Sequence, residues 1–140
     1  MGAAVSLSLQ KIGFRKITSE ATGLYNCIAW AASDSKRWWW PSPNVYWPGK
    51  PKKEDRAPTL NEFLKTFATL GFAQVSSTAF EAGIEKIALY GQGGLVSHAA
   101  RQLGDDSWTS KCGTLADVEH GLDQMVASYG PVMAILARKL

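Results

Sequence analysis

Cysteine and histidine are scarce in this sequence, with two of each among 140 residues. That scarcity excludes the usual zinc patterns, which need four ligands at short fixed spacings; no metal and no other cofactor is expected. No apolar run approaches the ~18–20 residues of a membrane span. The N-terminus lacks the charged start and long apolar run of a secretion signal, so a cytoplasmic protein with reduced thiols is expected, and delivery as an effector stays open. A Cys27–Cys112 disulfide is the alternative for a secreted chain. Excess charge is missing too. The net charge of +3 permits an acidic partner but is too mild to argue for nucleic acid.

What is present is a globular composition, 46% hydrophobic and 19% charged. The length suits one domain over residues 1–140 with a real core. Met1-Gly2-Ala3-Ala4-Val5-Ser6 matches a myristoylation pattern, which a cloning remnant explains equally well. Val5, Leu7 and Leu9 alternate with polar residues, as in an edge strand. Lys11, Arg15 and Lys16 read as a solvated basic turn.

Tyr25-Asn26-Cys27-Ile28-Ala29-Trp30-Ala31-Ala32 reads as a loop turning into a short apolar helix. Asn26 is a suitable N-cap, and Cys27 then sits among backbone N–H groups that lack helical partners. Such a position favours a thiolate. The bland alternative is an inert, buried small hydrophobe.

Residues 36–58 hold five of the six prolines and four of the six tryptophans. Prolines at this density exclude helix and central strand, leaving a long loop. Its tryptophans either plug the core or form a binding wall beside Cys27. Thr59-Leu60-Asn61-Glu62 is a capping box that opens a core helix ending at Gly71.

Period-two patterning then predicts strands at Phe72–Val75, Lys86–Tyr90, Leu95–Leu103 and Ser107–Cys112, the last three forming an antiparallel meander. A second capped helix is expected from Thr114. Leu115, Val118, Leu122, Met125 and Val126 would be buried on it, Asp117 would cap it, and His120 would face solvent. Val132–Leu136 is a final strand buried on both faces.

Val96, His98, Ala100 and Gln102 share one face of their strand. A three-residue turn at Gly104–Asp106 would pair Ala100 with Ser110 and place Ser110 diagonal to His98. A two-residue turn would put Lys111 opposite His98 instead. In the first register Cys27 is the nucleophile, His98 the base and Ser110 the orienting residue. Cys112 is the rival thiol, with no helix dipole to activate it.

Asn26-Cys27-xx-Trp30, His98-Ala99-Ala100 and Trp108-xx-Lys111-xx-Gly113 resemble the papain-like cysteine-hydrolase superfamily in its small bacterial forms, which include cell-wall peptidases, amidases and transglutaminase-like proteins. From Tyr25 to about Tyr129 the chain is also similar to an uncharacterised bacterial family with the pattern NCIAWA…RWWWP…YWP…HAARQL…WTSK…G. The resemblance implies an α+β fold with the cysteine helix and core helices packed on an antiparallel sheet. It further implies a thiolate at Cys27, acid–base work by His98 and an orienting residue on the next strand, where Ser110 and Lys111 replace the usual Asn, Asp, His or Gln.

The expected function is a cysteine-dependent peptidase, amidase or related acyl transferase acting on a peptide, protein or other amide. The Cys27 N–H and the Asn26 side chain would hold the oxyanion, and Trp30, Trp39, Trp40, Trp47 and Trp108 would bind substrate. Two alternatives are a catalytically inactive papain-like binding module gripping through its tryptophan loop, and a small bacterial interaction or immunity-type protein.

Overall fold

The computed structural model describes residues 13–51, 53–112 and 114–140. The expected edge strand at Val5–Leu9 and the myristoylation pattern lie outside them. Among the described residues, the backbone of the fold is one seven-stranded antiparallel sheet. Its strands are β1 (Lys16–Ile17), β2 (Ala73–Val75), β3 (Ile84–Gln92), β4 (Leu95–Gly104), β5 (Ser107–Lys111), β6 (Asp117–His120) and β7 (Val132–Lys139), in the spatial order β1-β6-β5-β4-β3-β7-β2. The helices are few: α1 (Cys27–Ala31), α2 (Leu60–Thr69), a 3₁₀ turn (Leu122–Met125) and the single-turn α3 (Val126–Tyr129).

This overturns the expected papain-like α+β arrangement of core helices on a sheet: the protein is sheet-rich, with short helices. The largest error lies in residues 114–126. Asp117-Val118-Glu119-His120 also alternates, and as β6 it fills a place between β5 and β1, pairing Lys111 with Asp117 and Lys16 with Glu119. Ladder hydrogen bonds and burial on both sides outweigh the weak helical preference of these four residues. Lys16, expected in a solvated turn, therefore lies in β1.

Each face of the sheet carries its own core. On one, Ile87, Leu89, Ala99, Ala134 and Leu136 meet α1, α2 and the tryptophan loop through Ile28, Phe63, Phe67, Trp39 and Trp47. On the other, Ala88, Tyr90, Ala100, Trp108, Val118 and Ile135 pack with Met125 and the segment leading to α3. The central strands β3 and β7 feed both cores, which is why they read as nearly continuous apolar runs. Helix α2 begins as its capping box predicts, with Thr59 Oγ1 accepting the Glu62 N–H at 3.1 Å. Among the described residues, no helix is long and apolar enough to cross a membrane.

Candidate functional site

Asn26 opens α1. Its side-chain oxygen accepts the N–H of Ala29 and of Trp39, each at 3.1 Å, and its amide donates to the Trp39 carbonyl at 2.8 Å. One residue thus caps the helix and fastens the tryptophan loop across it. This uses one of the two amide hydrogens.

Helix α1 lies over β4 and β5, where those strands part. Their ladder runs from Arg101↔Thr109 to Gly104↔Ser107 and is not continued toward Leu95. The same register extended would set Ala99 against Lys111 and His98 against Cys112. Instead the backbone of Ala99, with that of Cys27 and Ile28, lies near enough to the Cys27 sulfur for its N–H groups to lower the thiol pKa. Those donors favour a thiolate, but burial wins and pushes the thiol up to about 11. A five-residue helix has little macrodipole to oppose the loss of water.

The β4–β5 register is the one expected of a three-residue turn, reached another way. The turn holds two residues, Asp105 and Asp106, with Asp106 at φ 50°, and a bulge between Gln102 and Gly104 supplies the offset. As a result Ser110 lies diagonal to His98, and His98 Nε2 is 2.9 Å from Ser110 Oγ. His120, expected on a solvent-facing helix, is fully buried on β6, with Nε2 2.6 Å from Ser110 Oγ. Asp117, expected as a cap, is buried as well and accepts the Tyr25 hydroxyl at 2.8 Å.

These bonds fix the protons along the row. His120 Nδ1 is 2.8 Å from the Gly121 carbonyl, which can only accept, so Nδ1 carries hydrogen. Burial lowers the His120 pKa, leaving the ring neutral and Nε2 an acceptor. Ser110 Oγ therefore donates to His120 and accepts from His98 Nε2–H. Burial, reinforced by His120, pushes His98 down to about 3. The neutral His98 ring then presents a bare lone pair at Nδ1, a buried nitrogen without a hydrogen-bond partner.

Cys27 and His98 line one cleft of about 450 Å³, with Asn26, Trp38, Trp40 and Tyr129 among its other walls. The two are not hydrogen-bonded to each other, since Nε2 is taken by Ser110 and Nδ1 is unpartnered. Lys111 is buried on the α1 side, where its Nζ donates to the Thr22 carbonyl at 2.6 Å. It lies close enough to Cys27 to favour a thiolate there. Burial lowers the pKa of Lys111, and Asp117 opposes that shift. The rival thiol, Cys112, is pushed up to about 12 by burial, which the nearby Tyr129 hydroxyl opposes.

Of the five tryptophans expected to bind substrate, Trp40 lines the cleft. Trp39 and Trp47 are core, and Trp47 Nε1 donates to Glu62 at 2.9 Å and Thr66 at 3.0 Å. Trp108 belongs to the opposite core. Trp30 donates to Thr109 at 3.1 Å and lies under the Arg101 guanidinium. Trp38, covered in the sequence only by the expectation that the loop's tryptophans form a binding wall, also lines the cleft, and sequence reasoning misses Tyr129. Trp38 stands beside Trp40 in the run of three tryptophans, which is a usable signal; Tyr129 has none.

A family model spans residues 16–137 of the chain. The chain belongs to the DUF7689 family, a domain of unknown function. No curated protein and no solved structure matches it. In this DUF7689 chain the matched region runs from β1 almost to the end of β7, so it takes in every residue of the cleft. Among the described residues, no group of three or more His, Cys, Asp or Glu is placed to hold a metal ion.

Proposed function

We propose that the protein is a cysteine-dependent acyl-transfer enzyme, a peptidase or amidase in the broad sense, in which Cys27 is the nucleophile and His98 Nδ1 the base. One observation carries this reading: the bare, unpartnered Nδ1 of His98 belongs to a residue lining the same cleft as the thiol. An orphaned buried nitrogen costs about 1–3 kcal/mol, a cost that makes sense where it accepts a proton during a reaction.

In the resting protein, thiol and imidazole are both neutral, so no preformed ion pair exists. The thiol proton passes to His98 Nδ1 as Cys27 Sγ attacks a substrate carbonyl. The Cys27 N–H and the remaining Asn26 amide hydrogen stabilise the oxyanion. The proton then moves from Nδ1 to the leaving group as the carbonyl–heteroatom bond breaks. Water or an amine releases the acyl group from sulfur, and the thiol regains its proton. Lys111 offsets the charge that develops on sulfur.

A second reading, a binding cleft without catalysis, is favoured by the high thiol pKa. Incubation with p-nitrophenyl esters followed by peptide mass spectrometry separates the two. The enzyme reading expects an acyl adduct on Cys27 in wild type and in Cys112→Ser, and none in Cys27→Ala. An adduct on Cys112, or none on either thiol, would overturn it.

A further inference from the structure

We infer that the cleft accepts an uncharged acyl donor lying across Ser97 and Tyr129, with a bulky apolar side chain on the acyl side held by Trp38 and Trp40; the inference rests on the acyl-transfer reading of Cys27. The cleft that holds Cys27 adjoins a second groove of about 460 Å³, and Ser97 and Tyr129 wall both. Ser97 Oγ donates to the Tyr129 carbonyl at 2.8 Å, tying β4 to α3 and making a saddle between the two lobes. Gly130, at φ 92°, lets the chain leave α3 tight against β3, where a Cβ would come within 2.7 Å of the Gly91 carbonyl. The saddle is therefore a fixed feature of the fold.

Among the described residues, no Asp, Glu, Lys or Arg lines either lobe, although the chain carries 15 basic and 12 acidic residues. With His98 neutral and Lys111 held behind Cys27 outside both linings, the residues that wall the lobes offer no full charge to compensate the desolvation of a charged substrate group. Acidic, basic and phosphorylated substrates are disfavoured on that ground. The position of His98 sets the direction. His98 protonates the leaving group, so that group lies on the Tyr129 side, in the groove with Gln92 and Ser128. The acyl portion then lies on the far side of Cys27, where Trp38, Trp40 and Val45 form the wall. Trp38 is anchored by its indole N–H on the Gly23 carbonyl at 2.6 Å, which leaves its ring faces for packing.

Binding can be read without chemistry. The Cys27→Ser protein, labelled with ¹⁵N, is titrated with the N-acetyl methylamides of phenylalanine, aspartate and lysine while the indole N–H signals of Trp38 and Trp40 are followed. The phenylalanine amide is expected to shift both signals and to bind at least about tenfold more tightly than either charged amide, as burial of a large apolar side chain provides. Trp40→Ala should erase the preference. Equal or tighter binding of a charged amide, or no shift with any of the three, would overturn the inference. Apolar selectivity with no acyl adduct on Cys27 in the ester experiment would sink the catalytic reading alone.

Discussion

The Tyr129 ring lies flat on the His98 imidazole, 3.8 Å between centroids and 7° between planes. This stack covers one face of His98 and helps keep the ring dry. Replacing Tyr129 with Ala should admit water and raise the His98 pKa from about 3 toward the ordinary histidine value. A ¹H NMR titration of the imidazole checks this. No titration of His98 is expected in wild type between pH 5 and 8, and a visible one is expected in the variant. Tyr129→Phe keeps the stack and should leave His98 unchanged.

The same burial makes stability depend on pH. The folded His98 pKa is lowered, so below about 6.5 the unfolded chain binds the proton that the folded protein refuses. Stability is then full above about pH 6.5 and falls as the pH drops toward the folded value near 3. Each pH unit across that window is worth roughly 1.4 kcal/mol, so the upper limit of the loss is about 4–5 kcal/mol. Urea midpoints measured from pH 7 to 4 should slope steeply for wild type and less so for His98→Gln.

The hydrogen-bonded row fixes tautomers. In wild type, ¹⁵N shifts should report His98 protonated at Nε2 and His120 protonated at Nδ1. Ser110→Ala removes the link between the rings and leaves buried nitrogens unpaired, at a cost of about 1–3 kcal/mol. The same spectra should then show His98 released from its single tautomer.

Much of this site is legible in the sequence. Asn26, Cys27 and the capping box at Thr59 carry short-range signals whose physics is local. The position of Ser110 relative to His98 follows from strand parity once the turn offset is assumed, although the offset arises from a two-residue turn and a bulge. His120 and Tyr129 are illegible for one reason. Residues 115–126 space their apolar positions as a helix does, and only β5 and β1, distant in sequence, supply the partners that turn Asp117–His120 into a strand. The tryptophans mislead because a binding wall and a core plug have the same composition.

That distinction is measurable. Trp47→Ala removes a side chain 2% exposed, together with its bonds to Glu62 and Thr66, and should cost about 3–5 kcal/mol of stability. Trp38→Ala, at a position 40% exposed, should cost under about 1 kcal/mol. Thermal unfolding of the two variants should separate a core plug from a cleft wall.

The central claim is that the Cys27 proton leaves by way of His98 Nδ1. Its most direct test is the rate at which a p-nitrophenyl ester acylates Cys27, compared between wild type and His98→Gln at one pH. The expected result is a fall of about 10²-fold, the lower end of what a positioned general base contributes, because a base as weak as the resting His98 takes a proton less readily than one titrating near neutral pH. A rate within about threefold of wild type, in a folded His98→Gln protein, would contradict the claim.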